Sequence, residues 1–147
     1  MYKRKMGLDY GDVRIGIALS DLMGIIANAY ETYTRVEIEK DIQHIINIIN
    51  LKEVDTVVIG LPINMDGTSG IRVEKTKDFA QKLSDHTTAK IVFIDERLTS
   101  VSAEKILINA EVRRENRRLY IDQVSASIIL QDYLDRISRK SDFKGEY

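Results

Sequence analysis

Residues 6–21 read Met6-Gly7-Leu8-Asp9-Tyr10-Gly11-Asp12-Val13-Arg14-Ile15-Gly16-Ile17-Ala18-Leu19-Ser20-Asp21. Apolar side chains alternate with small or polar ones on both sides of Gly11, which predicts two short strands joined at a turn. Asp9 falls where the first strand ends. A carboxylate at the end of a central strand is well placed to hold a cation, and the neighbouring glycines allow a backbone or a phosphate to approach closely.

The composition is typical of one soluble domain. The chain has 147 residues, of which 44% are apolar and 31% charged, and this balance argues against disorder. No apolar run approaches the length of about 20 residues that a membrane-spanning helix needs. The basic residues 1–5 are not followed by the features of a secretion signal. We therefore expect a single cytoplasmic domain over residues 1–147, with a polar, frayed tail at 138–147.

Charge and cysteine content restrict the chemistry. The formal net charge of −1 means that the protein does not attract nucleic acid over its whole surface, so a polyanion must be bound by local patches. The densest basic stretch contains Arg113, Arg114, Arg117 and Arg118. A solvated loop explains this stretch equally well. Because the chain has no cysteine and two histidines, a typical zinc site is excluded, whereas a metal bound by oxygen ligands is not.

The rest of the chain alternates strands with helices. The predicted elements are an exposed strand at 28–34, a helix opened by a capping box at 34–37, a buried strand at 55–61, a helix at 73–84, a buried strand at 90–94, a helix capped by Thr99 or Ser100, and a helix at 119–137. This order, β-β-β-α-β-α-β-α-α, predicts an α/β fold. It has a five-stranded mixed sheet, antiparallel at one edge and parallel beyond it, with helices on both faces.

Acidic residues are predicted to meet at one edge of this sheet. Ligands gather outside the carboxyl ends of parallel strands, where Asp9 and Glu96 fall. Asp122 joins them if the last helix packs against the first strand. Two carboxylates about 4 Å apart repel by roughly 4 kcal/mol at an effective dielectric of 20, so such a cluster would protonate or bind a cation. Carboxylates favour Mg²⁺ or Mn²⁺, and one or two such ions can promote phosphodiester cleavage.

Four groups of residues resemble the YqgF (RuvX) family. They are Gly7-Leu8-Asp9-Tyr10-Gly11 with Arg14-Ile15-Gly16 and Ser20-Asp21; Gly60-Leu61-Pro62-Ile63-Asn64-Met65-Asp66-Gly67; Asp95-Glu96-Arg97-Leu98-Thr99-Ser100; and Ile121-Asp122 followed by Ile129-Leu130-Gln131. Each is loose by itself, but the four in this order and spacing are specific and cover nearly the whole chain. The resemblance implies a ribonuclease H-like fold and a nuclease that matures the precursor of 16S ribosomal RNA. The same family was formerly described as Holliday-junction resolvases.

The resemblance also implies roles for individual residues. Asp9, Glu96 and Asp122 match the acidic positions that are catalytic and bind metal, with Asp9 expected to bridge two ions. The expected substrate-binding residues are Arg14, Asn64, Asp66, Gly67, Arg97, Arg113, Arg114, Arg117 and Arg118. The chain departs from the family pattern at Val13, where a basic residue is frequent, and at Ser125, where alanine is usual.

Each acidic position also has an explanation without catalysis. Backbone amides can satisfy Asp9 at a strand end, Glu96 can pair with Arg97, and the helix dipole favours Asp122 near a helix N-terminus. The leading hypothesis is a metal-dependent nuclease acting on structured RNA, with branched DNA as an alternative substrate and ribosomal precursor particles as partners. The competing hypotheses are nucleotide handling, as in sugar kinases and actin-like ATPases, and a non-catalytic RNA-binding ribosome-assembly factor.

Overall fold

The computed structural model describes residues 3–63, 70–95 and 114–145, and within the last range it describes the side chains of residues 120–138. The strands are β1 (Arg4–Tyr10), β2 (Arg14–Ser20), β3 (Ala27–Thr34), β4 (Val54–Leu61) and β5 (Lys90–Asp95). The helices are α1 (Ile38–Lys52), α2 (Ile71–Ser84) and α3 (Arg114–Gly145). The helix predicted to follow Thr99 or Ser100 lies outside the described residues.

The five strands form one mixed sheet in the order β3-β2-β1-β4-β5. The pairs β1–β2 and β2–β3 are antiparallel, whereas β1–β4 and β4–β5 are parallel. The mixed sheet, antiparallel at one edge and parallel beyond it, was predicted correctly from the order of the strands and helices along the chain. Because β1, β4 and β5 are parallel, their carboxyl ends lie at the same edge of the sheet.

Helices cover both faces of the sheet, as predicted. One apolar cluster joins the α1 and α2 face to alternate residues of β1, including Met6, Leu8 and Tyr10. The second cluster lies on the opposite face and joins Ala18 and Val58 to α3. The helical stripe of isoleucines in α1 is confirmed, since Ile42, Ile45, Ile46 and Ile49 are all buried. The sheet therefore separates two cores, and α3 alone, among the described helices, packs on the second.

The start of α1 differs from the predicted capping box. Glu37 is the N-cap residue, and its side chain makes no capping hydrogen bond. The carboxylate of Asp41, one turn into the helix, instead accepts a hydrogen bond of 2.9 Å from the backbone N–H of Val36. Asp41 is fully buried. Its carboxylate therefore supplies the hydrogen-bond acceptor for a backbone N–H group before the helix, a role that a capping side chain on the surface would otherwise have.

Helix α3 is longer than predicted at both ends. It begins at Arg114, so the backbone of Arg114, Arg117 and Arg118 belongs to its first turns and not to a connection before the helix. It ends at Gly145, and residues 138–145 are therefore helical where a frayed polar tail was expected. Polar residues can extend a helix whose middle part is packed, because adding a residue to an existing helix costs far less than nucleating one.

The strand β5 is more exposed than expected. It was predicted to be buried on both faces, but it lies at the edge of the sheet, where Ile94 is buried and Phe93 is 39% exposed. A continuous apolar run predicts a strand, but it does not predict whether another strand pairs with it on one side or on both. Edge position is a property of the whole sheet.

Candidate active site

Asp9 lies near the end of β1, on the face of the sheet that α3 covers. Its register partner is Gly16 of β2, and directly paired residues in an antiparallel ladder point to the same face. Met6, Leu8 and Tyr10 point to the opposite face, into the α1 and α2 core. The side chain of Asp9 is partly buried. The alternation that builds the first core thus directs this carboxylate to the other side.

The backbone of α3 lies directly against β2 beside Asp9. A Cβ atom placed on Gly16 would overlap the carbonyl oxygen of Asp122, and one placed on Gly7 would lie 2.6 Å from the carbonyl oxygen of Ala126. Glycine is required at both positions because helix and sheet approach so closely. The condition set from the sequence, that the last helix packs against the first strand, is met. Asp122 is consequently placed over the register partner of Asp9.

The carboxylate of Asp122 carries an ion pair. Nε of Arg14 lies 2.7 Å from Oδ2 of Asp122, and the two side chains are 42% and 22% exposed. Arg14 is the first residue of β2 and has the same strand parity as Gly16, so it also points toward α3. Arg14 was predicted to bind substrate, and the structure adds a partner for it within the protein.

The turn between β1 and β2 is held by Arg35. Its Nη1 group donates hydrogen bonds to the carbonyl oxygens of Gly11 and Asp12, at 3.1 and 3.3 Å. Its Nε group donates to the buried carboxylate of Asp41 at 2.9 Å, and its guanidinium lies 4.7 Å from the ring centre of Tyr10. Arg35 therefore connects the turn after Asp9 to the start of α1.

Burial and hydrogen bonding shift the pKa values of this cluster. Burial acts to raise the pKa of Asp41, but hydrogen bonds from Val36, Arg35 and Tyr33 outweigh it, so the pKa lies below its ordinary value. Burial raises the pKa of Tyr10. Sequence reasoning missed Arg35 and Asp41. The available signal was a carboxylate at position 41, directly beside the apolar stripe of α1, where a charge needs a partner.

Several predicted site residues cannot be placed. Glu96, Arg97, Asn64, Asp66, Gly67 and Arg113 lie outside the described residues, as do the contacts that they make. Arg114, Arg117 and Arg118 belong to the first turns of α3, in the part of the helix without described side chains. Asp95, the residue before Glu96, ends β5 at the carboxyl edge and is in register with Leu61 of β4. Asp95 thus lies at the edge of the sheet where β1 ends.

The described residues alone do not form a complete metal centre. Within the ranges given above, no group of three or more histidine, cysteine, aspartate or glutamate side chains is arranged to hold a metal ion. The predicted set includes Glu96, which lies outside these ranges, so the three-residue site stays a prediction. Among the same residues, no helix is long and apolar enough to cross a membrane.

Comparison with known families identifies the chain. The model of the RuvX family, described as Holliday junction resolvase, matches residues 3–136. The chain belongs to the RuvX family. Its resemblance to this family, first indicated by the four groups of residues, is thereby confirmed.

Curated relatives of this RuvX protein are similar over nearly their whole length. A protein of Halothermothrix orenii named "Putative pre-16S rRNA nuclease" is 47% identical over 132 residues, which cover 90% of this chain and 94% of that one. A protein of the same name from Carboxydothermus hydrogenoformans is 46% identical over 134 residues, covering 91% and 97%. The similarity to proteins of this name therefore extends over the part of the chain that contains Asp9, Glu96 and Asp122.

A solved structure shares the fold of this RuvX protein. The RuvC protein of T. thermophilus, solved in complex with a Holliday junction substrate, matches with a TM-score of 0.59 at 8% sequence identity, covering 92% of this chain and 96% of that one. At this identity the likeness shows the fold alone. The predicted ribonuclease H-like architecture is confirmed.

Proposed function

We propose that this RuvX protein is a divalent-metal-dependent nuclease that hydrolyses phosphodiester bonds in structured RNA. Its substrate is the precursor of 16S ribosomal RNA, in the cytoplasm and within ribosomal precursor particles, and residues 1–147 act as one nuclease domain. Relatives nearly half identical to this chain carry the corresponding name. The observation that carries the proposal is the packing of α3 on Gly16, because it brings Asp122 to the strand position paired with Asp9.

The acidic residues of this edge suit a hard divalent cation. Asp9 and Asp122 supply carboxylate oxygens from β1 and α3, and Asp95, which directly precedes Glu96 in the sequence, ends β5 at the same edge. Carboxylates with water in the remaining positions are typical ligands of Mg²⁺ and Mn²⁺. The carboxylate of Asp122 already holds a cationic group, the guanidinium of Arg14, which supports its affinity for positive charge. When bound, one or two such ions lower the pKa of water and stabilise the negative charge of the departing oxygen.

Basic residues around this edge hold the phosphates that flank the cleaved bond. Arg97 and the loop of Asn64, Asp66 and Gly67 are proposed to line the substrate side, and Arg14 lies at the start of β2 beside Asp122. The arginines at 113–118 precede or begin α3, and they extend the contact along the nucleic acid backbone. Arginine suits this role because its planar group can bind two phosphate oxygens at once.

Removal of the Asp9 carboxylate tests this function. We expect Asp9→Asn to keep its fold, as measured by circular dichroism, and to lose Mg²⁺- or Mn²⁺-dependent cleavage of precursor ribosomal RNA by roughly a hundredfold or more, since about 2.7 kcal/mol of transition-state stabilisation corresponds to that factor. Asp132→Asn is the matched control, because it makes the same change at an exposed position of α3. An undiminished rate in purified Asp9→Asn would remove the catalytic assignment.

Branched DNA is the second candidate substrate. The family description and the fold shared with a resolvase favour it. The same purified protein should be assayed on precursor ribosomal RNA and on a four-way DNA junction at equal salt, because binding of both is strongly salt-dependent. Faster cleavage of the junction, abolished by Asp9→Asn, would assign the protein to DNA processing.

A further inference from the structure

The ion pair between Arg14 and Asp122 joins two parts of the chain that are 108 residues apart. Nε of Arg14 donates a charge-assisted hydrogen bond of 2.7 Å to Oδ2 of Asp122. A second pair on α3, between Arg136 and Asp132, has its atoms 2.9 Å apart but links neighbouring turns of one exposed helix. The first pair is less exposed on its acidic side and links β2 to α3 at the candidate active site.

This pair places a positive charge where the proposed function requires a metal ion. A carboxylate oxygen that accepts a hydrogen bond from a guanidinium is a poorer ligand for a divalent cation, and the two cations repel each other when both are close to one carboxylate. The guanidinium and a metal ion therefore compete for Asp122. Arg14 is also 42% exposed at the first residue of its strand, so its side chain can turn outward without disturbing the core.

A guanidinium released at this place has a second partner available. Its fork geometry matches the oxygens of a phosphate as well as those of a carboxylate. A nucleic acid bound at the carboxyl edge brings phosphates to the start of β2. One side chain can thus neutralise Asp122 in the absence of metal and contact substrate in its presence.

We propose that Arg14 is the resident counter-ion of the acidic site, that it competes with the divalent cation for Asp122, and that cation binding frees it to hold a substrate phosphate. This inference rests on the proposed metal-dependent function. It makes Arg14 a positioning residue, acting through Asp122, until the metal is bound. Because coupling between two ligands is reciprocal, metal should strengthen nucleic acid binding and nucleic acid should strengthen metal binding by the same factor.

Metal affinity, measured without any substrate, tests the competition. Titration calorimetry with Mn²⁺ should be performed on the wild-type protein, Arg14→Gln, Arg14→Lys, Asp122→Asn and the double variant Arg14→Gln with Asp122→Asn. We expect Arg14→Gln to bind Mn²⁺ about tenfold more tightly, since hydrogen bonds to charged groups contribute about that factor. Arg14→Lys should stay near the wild-type value because it keeps the charge.

Two controls isolate the pair from a general charge effect. Arg136→Gln removes the same charge from the chain at the exposed pair of α3, and its Mn²⁺ affinity should equal that of the wild type. In the Asp122→Asn background, the additional Arg14→Gln change should no longer increase affinity. A gain that persists without Asp122, or that Arg136→Gln reproduces, would show that Arg14 acts only through net charge and would overturn the competition.

The Nε–H resonance of Arg14 gives a direct view of the exchange. In an NMR titration with Mg²⁺, this signal should shift as the hydrogen bond to Asp122 is lost, whereas the Arg136 signal should not. Equal or weaker Mn²⁺ binding by Arg14→Gln, or an unchanged Arg14 signal at saturating Mg²⁺, would overturn the inference. Neither result affects the proposed function, which fails separately if Asp9→Asn retains full cleavage or if the wild type cleaves equally well in a chelator.

Discussion

Arg35 and Asp41 control the turn that follows Asp9, although neither belongs to the acidic site. The carboxylate of Asp41 is fully buried, and Arg35 connects it to the carbonyl oxygens of Gly11 and Asp12. A buried charge is tolerated only when it is paired and hydrogen-bonded. The position of the turn thus depends on one ion pair behind it.

Loss of the Arg35 side chain should destabilise the protein. We expect Arg35→Ala to lower the free energy of unfolding by about 3 kcal/mol, because removing one partner leaves the charge of Asp41 buried and poorly compensated. Urea unfolding measures this change. Arg136→Ala is the control and should cost less than about 1 kcal/mol, as exposed pairs do. A loss for Arg35→Ala as small as that of the control would contradict the structural role of the buried pair.

At the scale of elements, the contact between α3 and β2 places Asp122 over Gly16, the register partner of Asp9. The helix presents Ser125, Ala126 and Ile129 to the sheet, and its backbone lies against Gly7 and Gly16. Small side chains on the helix and glycines in the strands permit this close approach. Close main-chain packing at Gly7 and Gly16 thus accompanies the burial of the large apolar residues Ile129, Leu130 and Leu134 of α3 against the sheet.

A single methyl group should disturb this contact. We expect Gly16→Ala to lower stability by about 3 kcal/mol, at the upper end for overpacking, because the clash is with the carbonyl oxygen of Asp122 in a helix backbone. It should also weaken the Arg14–Asp122 coupling in a double-mutant cycle, since α3 must move away. Asn28→Ala, at an exposed position of β3, should change stability by less than about 0.5 kcal/mol. Unchanged stability and coupling in Gly16→Ala would contradict the observed packing.

At the scale of the whole molecule, groups with shifted pKa values limit stability at both extremes of pH. Backbone N–H groups of Ile26 and Ile25 lower the pKa of Asp21 below its ordinary 3.8. The pKa of Asp41 is also below 3.8, because its hydrogen bonds outweigh the effect of burial. Burial raises the pKa values of Tyr10 and Tyr33 above their ordinary 10.0.

The direction of each pKa shift determines how stability changes with pH. The two lowered carboxyl pKa values give stability that is present above pH 3.8 and is lost as the pH falls through the folded-state values. The two raised tyrosine pKa values give stability that is present below pH 10.0 and is lost as the pH rises through the folded-state values. We therefore expect these groups to lower the melting temperature as the pH falls below 3.8 and as it rises above 10.0, as measured by thermal scans across pH.

Tyr33→Phe tests the alkaline limit. It removes one of the two phenols whose pKa is raised, so the decline above pH 10.0 should become shallower. Tyr120→Phe, at a position that is 45% exposed, is the control and should leave the decline unchanged. Equal slopes for the wild type and Tyr33→Phe would contradict the contribution of Tyr33.

The periodicity of the sequence predicted most elements, because periodicity depends on neighbouring residues. Alternation predicted β1 and β2, the isoleucine stripe predicted α1, and a continuous apolar run predicted β4. The buried face of α3 was predicted less well. The helical spacing predicts a buried face with Ile121, Val124, Ile128, Leu130 and Leu134. Leu130 and Leu134 are buried, but the other three are partly exposed, and Ser125, Ala126 and Ile129 are buried instead. Hydrophobicity alone predicts that the large apolar residues of a helix are buried. Where the helix backbone packs closely on glycine, small residues such as Ser125 and Ala126 are buried as well.

The sequence by itself determined most of the strands and helices, the mixed sheet and the family, and it predicted the acidic residues of the candidate site. These follow from local patterns and from residue types in a fixed order. Only the tertiary structure decided that Asp122 lies over the partner of Asp9, that Arg14 is paired with it across 108 residues, and that Asp41 stabilises a turn through Arg35. Such contacts depend on which faces meet in three dimensions, and no local pattern contains that information.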